Sequence, residues 1–581
     1  MIRKLVRQML TAQIFSALTV SLCLLIDNIM IGRFLGVQSL AAYSAANPVL
    51  LVIGALGTML GAGVQVVCSR SLGKGSQEET NAGYSAAIAL TLGFSLAFMV
   101  LVLLLRAPIA TAMGAGSEGE LFIQTKDYMA GFIIGAPASM GALVLVPFLQ
   151  MAGQSTLLIV AVLSMTVADV ALDLMNVLVF HDGMFGMGLA SSLSYYIALV
   201  ISLIYFLSRK CVFRFSRRLI TRAKIAELFK SGVPAVFGMA SSVVLVFAMN
   251  RLLKGINGET AMAAFAVISS IGNAACCINT GVGGVSLTLA GIFYNEEDRS
   301  SLKELMALLF RYAVVLGLGM GAVLMFGAPL FAGLFISEKG PAQEMAILGL
   351  RMYAGGLIAC CINNALKNAY QATGRVGLTE ILSLAEGAIL PTVVALIFGL
   401  TLGTTGAWLY FPLGEILTLV CIGLLVWRKT RQAPWKDGAN LLLKQDFGVT
   451  ADNLMEADIY TMEEVADVSE KARQFCLSHG QSAKVSSHIA LCIEEMASNT
   501  IQHGFSQDGK KHHLSVRILH KKEDWVLRFR DDCGAFDPVH YVPEGDQDAL
   551  GIRLVRAMAR EASYTYSLNL NNLALKLNAE E

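Results

Sequence analysis

The sequence predicts an all-α polytopic membrane body followed by a separate α+β domain. Of the 581 residues, 55% are hydrophobic and only 15% are charged, whereas an average soluble chain is about 25% charged. The charges are also unevenly distributed, because 21 of the 43 acidic residues but only 14 of the 44 basic residues lie from Asp452 onward. We therefore expect an apolar, basic body and a charged, acidic tail.

Twelve stretches of the body are apolar over about the 20 residues that a helix needs to cross a bilayer. The first begins like a signal peptide, but it continues past Asp27 without a cleavage site, so we expect an uncleaved first helix. The twelve predicted transmembrane helices lie at about 10–32, 45–68, 84–105, 128–150, 157–180, 187–207, 232–253, 262–292, 308–336, 346–368, 378–400 and 405–427.

Basic residues predict the orientation of these helices. They cluster at the N-terminus, in the loop 208–230, which contains eight basic residues and one acid, and after the last helix. The three clusters lie on one side only if even numbers of helices separate them, and six plus six satisfies this condition. Since basic loops stay in the cytoplasm, we expect a multi-pass protein with both termini in the cytoplasm.

The two halves of the body repeat each other. The segment 149–154 (LQMAGQ) aligns with 370–375 (YQATGR), and Gly36 aligns with Gly258 at nearly the same offset. Two six-helix halves have the same orientation, so the repeat axis lies along the membrane normal. We expect lobes at 1–207 and 231–427, a linker at 428–454 and a soluble domain at 455–581.

Three segments of the body resemble the multidrug and toxic compound extrusion (MATE) transporters. They are the run DNIMIGRFLG at 27–36, the run GMGLAS at 186–191, and the Gln-x-x-Gly turns of both halves. The resemblance covers about residues 1–430. It implies a proton- or sodium-coupled antiporter of the bacterial cytoplasmic membrane, which exports amphipathic or cationic small molecules by alternating access.

Buried acids are the candidate ion-coupling residues of the body. A charged side chain at the bilayer centre costs roughly 2.5–3.5 kcal/mol, so Asp27, Asp169 and Asp173 are expected to have a function. Asp169 and Asp173 are four residues apart on one helix face, and two such close charges are expected to share a proton or bind a cation.

The same resemblance implies that Asp27 is the acid of the first helix and that Ser191 stands where a Thr is usual. It also implies an Asn at the position of Asp169, and this replacement favours protons over sodium. An alternative is that Asp169 or Asp173 is hydrated at the membrane interface. Lys367 is expected to extend to the cytoplasmic surface.

The tail shows the pattern of one small α+β domain. Helices are predicted at 463–480, 483–504 and 549–562, and strands at 514–519, 525–530 and 564–577. No Walker A sequence and no Cys-x-x-Cys motif occurs, which argues against an ABC-type motor and a zinc ribbon. The tail also has no strongly basic face, so nucleic acid is not an expected partner.

The tail resembles histidine-kinase-like (Bergerat-type) ATPase domains, above all the anti-sigma-factor serine kinases. Its motif residues are Glu495 and Asn499 on one helix, the segment DDCGAFDP at 531–538, and the helix start at 549–555. The resemblance implies Glu495 as general base, Asn499 as Mg²⁺ ligand, Asp531 as adenine anchor, Gly551 beside the phosphates, and ATP with Mg²⁺ as cofactors.

Two glycines of the ATPase pattern are replaced by Cys533 and Ala535. Because glycine permits close approach of the backbone to phosphate, an active kinase and a degenerate regulatory domain with a cytoplasmic protein partner both stay open. Two other functions also stay open for the whole chain. One is a membrane-tethered serine kinase with the body as sensor, and the other is a lipid-linked saccharide flippase, which few Lys or Arg in the helices disfavour.

Overall fold

The computed structural model describes residues 2–209, 211–336, 339–436, 438–444, 447–505, 511–521, 524–541 and 550–578. From residue 2 to 430 the chain forms long apolar helices joined by short turns, because only a helix satisfies its own backbone hydrogen bonds in lipid. The helices of the first half are α1 (Ile2–Met30), α2 (Val37–Gly73), α3 (Gln77–Ala110), α4 (Glu120–Ile133), α5 (Ala136–Met151), α6 (Ser155–Met175) and α7 (Gly183–Leu207).

The second half repeats this arrangement with different breaks. Its first helical segment, Arg222–Ala275, belongs to two spans separated by a break at Asn257 and Gly258, where the φ of Gly258 is +61°. A five-residue π-helix, Ala385–Ile389, separates α13 from α14. The helices are α8 (Arg222–Ala275), α9 (Cys277–Asn295), α10 (Arg299–Phe335), α11 (Pro341–Ala354), α12 (Leu357–Ala372), α13 (Val376–Leu384), α14 (Leu390–Ala407) and α15 (Tyr410–Thr430).

The number of membrane spans agrees with the sequence prediction if bent helix pairs are counted as single spans. Among the described residues, ten helices are long and apolar enough to cross a membrane. The pairs α4–α5 and α11–α12 are bent by 47° and 50°, and together with them the number rises to twelve.

The repeated turns have the same backbone geometry. Gly153 and Gly374 both have positive φ, +75° and +86°. The backbone N–H of Gln154 donates to the Leu149 carbonyl, and that of Arg375 donates to the Tyr370 carbonyl, both at 2.8 Å. Positive φ is the reason for glycine at this turn position in both halves.

The lobes contact each other on the side where the C-terminal domain lies, which we call the tail side. Arg70 of α2 donates to the backbone carbonyls of Gln371 and Ala372, each at 3.1 Å. One hydrophobic core includes the whole first lobe and the tail-side parts of α9, α10 and α12. The far part of the second lobe has a separate core around Phe265 and Trp408, so the structure is closed on its tail side.

The segment after α15 packs against the second lobe. Leu441 is fully buried, and the Tyr370 hydroxyl donates to the Asn440 carbonyl at 2.7 Å. The rings of Tyr294 and Phe447 stack with centroids 4.9 Å apart. The predicted linker is therefore attached to the second lobe along much of its length, because its apolar side chains pack against that lobe.

The C-terminal domain has two layers, a five-stranded antiparallel sheet and helices on one of its faces. The strand order is β1-β2-β3-β5-β4. Strand residues alternate, so Trp525, Leu527 and Phe529 join the core with the helices. The elements are β1 (Leu454–Ile459), α16 (Met462–Ser478), α17 (Ala483–Asn499), β2 (Leu514–Lys521), β3 (Asp524–Asp531), α18 (Leu550–Met558), β4 (Glu561–Ser567) and β5 (Leu570–Asn578).

Candidate functional site

Three carboxyl groups meet inside the first lobe. Asp27 lies near the end of α1, and Asp169 and Asp173 lie on the second half of α6. Their exposed fractions are 7%, 4% and 0%, so the alternative of interfacial hydration does not agree with the structure. Helices α1 and α6 pack against each other, which places the acids of both helices in one buried cluster.

The carboxyl groups contact each other rather than basic side chains. The Asp169 side chain lies close to those of Asp27, Ser194 and Cys23. Within the described part of the chain, Asp27 Oδ1, Asp169 Oδ1 and both carboxylate oxygens of Asp173 are buried without a hydrogen-bond partner. Buried polar atoms are normally paired, so the free oxygens indicate capacity for a proton or a small cation.

The serine that contacts the acids differs from the one expected. Ser191 is buried at 6% exposure, and its hydroxyl donates to the Met187 carbonyl of its own helix at 3.4 Å. Ser194, three residues later, lies within reach of Asp169, and its hydroxyl donates to the Ser191 carbonyl at 2.8 Å. Residues three apart share a helix face, so helical spacing alone leaves the choice between the two serines open.

Tyrosines border the cluster, and the sequence analysis did not identify them. The rings of Tyr43 and Tyr128 meet edge to face with centroids 5.2 Å apart. Tyr128 and Tyr195 lie close enough to the acids for electrostatic interaction. These residues come from α2, α4 and α7, and no local motif connects them to α1 or α6.

Charge balance is the main constraint on this cluster. Among the described residues, no Lys or Arg acts electrostatically on Asp27, Asp169 or Asp173. Coulomb repulsion between unit charges at contact distance is several kcal/mol at an effective dielectric constant of about 20. The three groups therefore cannot all be ionised unless a cation joins them, and their charge depends on what is bound.

The second lobe contains a different buried cluster. Lys367 Nζ lies 2.7 Å from Glu386 Oε2, and Asn363 donates to Glu415 Oε2 at 2.8 Å. Oxygens of both glutamates and Cys360 Sγ lie within 4.8 Å of one another. The prediction that Lys367 extends to the surface was wrong, because an internal carboxylate pairs with its ammonium group. In contrast to the aspartates of the first lobe, the glutamates of this cluster have a basic side chain, Lys367, beside them.

The motif residues of the C-terminal domain converge at one end of α17. A Cβ atom on Gly551 would lie 2.0 Å from Glu495 Oε2, so the start of α18 rests on that carboxylate. Asn499 lies one turn beyond Glu495 and ends the helix. Asp531 ends β3, and its Oδ1 accepts hydrogen bonds from Asn571 Nδ2 at 2.8 Å and the Cys533 N–H at 3.0 Å.

By residue type, this set offers a buried carboxylate on Asp531 for an adenine and an amide oxygen on Asn499 for Mg²⁺. Burial raises the pKa of Asp531, and the hydrogen bonds from Asn571 and Cys533 oppose that shift. Because Gly551 already lies in contact with Glu495 Oε2, phosphates placed beside Gly551 require α18 to move away from that carboxylate. Ala549, at the start of the predicted motif, lies outside the described residues.

Sequence and structure comparisons agree on the transporter body. The sequence profile of the MatE family matches residues 12–175 and 234–404. The multidrug export protein MepA of Staphylococcus haemolyticus is 26% identical over 369 residues, which are 62% of this chain and 80% of that protein. The probable multidrug resistance protein NorM of Pseudomonas putida is 28% identical over 357 residues, which are 57% of this chain and 72% of that protein.

A solved structure has the same fold. The outward-facing conformation of a multidrug resistance MATE family transporter of the MOP superfamily superimposes with a TM-score of 0.67 at 22% identity, covering 74% of this chain and 95% of that chain. The matched profile includes Asp27, Asp169 and Asp173 and ends before the C-terminal domain.

Proposed function

The chain belongs to the MatE family of transporters, and from this membership we propose that it exports drugs or other small amphipathic, cationic molecules. The names of its relatives MepA and NorM support multidrug export. Two six-helix lobes that meet on one side only are the architecture that alternating access requires. We propose that the tail side faces the cytoplasm of a bacterial inner membrane, and the basic loops support this orientation.

We propose protons as the coupling ion, and the contact between Asp27 and Asp169 supports this choice. The two carboxyl groups are close enough to share one proton, and a hydrogen bond between them forms only when one of them carries it. Loss of that proton places a second negative charge in a dry cluster, which favours a cationic substrate or a new proton. The buried cluster can thus exchange protons for substrate without a basic partner of its own.

Proteoliposome transport tests this function. The full-length protein is reconstituted without nucleotide, a pH gradient is imposed, and movement of a cationic dye is recorded. We expect dye movement that follows the pH gradient and is independent of a sodium gradient. Movement driven only by sodium would contradict proton coupling, and movement only after addition of ATP would contradict ion-driven export.

For the C-terminal domain we propose nucleotide binding that regulates the transporter. Asp531 would hold the adenine, Asn499 a Mg²⁺ ion and Gly551 the phosphate side, with Glu495 positioned as a base. When bound, the nucleotide supplies a phosphoanhydride bond. The chain contributes a buried carboxylate for recognition and a helix, α18, that must leave Glu495 to admit a ligand. The convergence of these four residues carries the proposal.

Binding of a fluorescent ATP analogue with Mg²⁺ to the full-length protein tests the regulatory site. We expect Asp531→Asn to weaken binding about tenfold or more. Loss of a buried hydrogen bond to the nucleotide makes the free energy of binding less favourable by roughly 1.4 kcal/mol or more. Asp467→Asn, which changes an exposed acid of α16 paired with Lys471, is the matched control. Equal binding by both variants would contradict this site.

A further inference from the structure

The sheet of the C-terminal domain has a second face that is free of its own helices. Because strand residues alternate between faces, Arg517, Arg528 and Arg530 point away from the core of the domain, opposite Trp525, Leu527 and Phe529. This basic face was not anticipated from the sequence, because its residues come from two strands; the face lies against the transporter body. We call it the docking face, and Lys521 at the end of β2 extends it.

The docking face binds an acidic turn of the second lobe. Arg530 Nη2 lies 2.8 Å and 2.9 Å from the two carboxylate oxygens of Glu296. Arg517 pairs with Asp298 and also donates to the Ser301 hydroxyl at 2.7 Å.

Two further contacts complete this attachment. Lys521 pairs with Glu297, and Arg528 donates to the Glu296 backbone carbonyl. The three consecutive acids 296–298 between α9 and α10 are thus each held by a basic group of the domain.

A different part of the domain binds the first lobe. The β4–β5 hairpin contacts the turn between α5 and α6: the Leu568 N–H donates to the Met151 carbonyl at 2.6 Å, and Asn569 Nδ2 donates to the Gly153 carbonyl at 2.9 Å. Leu568 and Leu570 belong to the hydrophobic core of the transporter rather than to that of the domain.

The two attachments lie on different lobes and on the same side of the molecule. The turn 152–154 belongs to the first lobe and the turn 296–298 to the second, and both lie on the tail side, where Arg70 also joins the lobes. Opening of the tail side separates the lobes there. A rigid sheet attached to both turns opposes that separation.

We propose that the C-terminal domain is a bridge that fits the tail-side turns of both lobes and holds this side closed, so that transport requires its release from the acidic turn. This inference rests on the proposed function, because it assumes alternating access. It assigns the docking face an interaction partner within the chain and makes detachment of the domain the step that a bound nucleotide or protein would control.

Electrostatics make the acidic turn a persistent attachment at neutral pH. Burial of Asp298 opposes its ionisation, but Arg517 and the hydrogen bonds from Ser301 outweigh burial and hold the pKa of Asp298 below its ordinary value. The carboxylate therefore stays charged, and the attachment is lost only under acidic conditions, as the pH falls through that lowered pKa. The Arg517–Asp298 pair therefore persists at neutral pH, and we propose that a competing ligand releases the bridge.

Charge reversal and its compensation test the bridge. Full-length Arg530→Glu, Glu296→Arg and the double variant are placed in lipid nanodiscs for hydrogen exchange and in proteoliposomes for dye transport. We expect each single variant to exchange faster at 293–301 and in the tail-side segments 65–73 and 365–375. The transport rate should rise about threefold to tenfold. This corresponds to destabilisation of the tail-side-closed state by about 1.4 kcal/mol or less. The double variant should restore both properties.

The controls separate undocking from misfolding. Arg473→Glu reverses an exposed charge of α16 that pairs only within the domain and should behave as the parent. Asn569→Ala removes the first-lobe contact by a milder change and should also increase exchange and transport. The bridge would be overturned if hydrogen exchange at 293–301 rose without faster exchange in the segments 65–73 and 365–375. It would also be overturned if neither single variant raised exchange at 293–301. If the parent does not move dye, the proposed function fails, while exchange still decides the bridge.

Discussion

Asp173 differs from the other acids of the first lobe, because both of its oxygens are buried without a partner among the described residues. Asp27 and Asp169 at least contact each other. We expect Asp27→Asn and Asp173→Asn each to abolish proton-driven dye transport and drug resistance at normal expression, since an amide cannot release a proton. Asp182→Asn, an exposed acid before α7, is the matched control. Parent-like transport by both variants would contradict the assigned role.

The two serines of α7 give a second test at the residue scale. Both hydroxyls donate to backbone carbonyls of α7, but only Ser194 also lies within reach of Asp169. We expect Ser194→Ala to shift the pH dependence of transport and lower its rate about tenfold, because a hydrogen bond to a charged group contributes roughly 1.5–3 kcal/mol. Ser191→Ala should stay within about twofold of the parent. The reverse order would favour the serine that the family resemblance implies.

At the scale of turns, Gly153 and Gly374 form a matched pair. Both have positive φ, so a substitution by alanine costs each about 1–2 kcal/mol in strain. A Cβ on Gly153 would also meet Asn569 at 2.5 Å, whereas on Gly374 its nearest neighbour is Arg70 at 3.6 Å. We expect both variants to lower the Tm, and only Gly153→Ala to increase hydrogen exchange in the β4–β5 hairpin. Equal exchange would mean that the hairpin does not depend on this turn.

The β2–β3 hairpin makes the stability of the domain depend on pH. His520 stacks on Trp525 with centroids 4.4 Å apart, and burial together with His479 lowers its pKa. The unfolded domain therefore binds protons more readily near pH 6, and stability falls as the pH drops from 7.5 to 5.5. Hydrogen exchange of β3, measured as a function of pH, reports this stability. We expect His520→Phe to reduce its pH dependence and His540→Gln, a substitution of an exposed residue, to preserve it.

Helices and strands could be predicted from the sequence where periodicity and length determine them. The twelve apolar stretches and the alternating strands at 514–519 and 525–530 correspond to structure. The spans predicted at 232–253 and 262–292 are likewise separate in the structure, because the backbone breaks at Asn257 and Gly258.

Only the acidic residues of the site could be predicted from the sequence, because a charged side chain in a membrane is energetically costly. Asp27, Asp169 and Asp173 stand out because lipid excludes unpaired charge, and the structure buries all three together. Tyr128 and Tyr195 come from other helices and resemble ordinary apolar filler in the sequence. Lys367 was misplaced because its partner Glu386 is nineteen residues away along the chain.

The whole molecule combines a transporter with a domain that lies outside the family profile, and truncation separates their roles. Removal of residues 450–581 keeps Asn440 and Leu441, which cover part of the second lobe. We expect the truncated protein to transport dye faster than the parent and to lose any response to nucleotide. Loss of all transport by a folded truncated protein would instead favour a body that acts as a sensor for the domain.

The packed segment after α15 also sets how far a released domain can travel. Phe447 is stacked on Tyr294 of the second lobe, and β1 begins at Leu454, so the free tether is only about six residues and reaches roughly 20–25 Å when extended. A domain on such a short tether faces its docking site at an effective concentration in the millimolar range. A ligand that competes for the docking site must overcome that concentration. Only an abundant or tightly binding ligand therefore releases the domain.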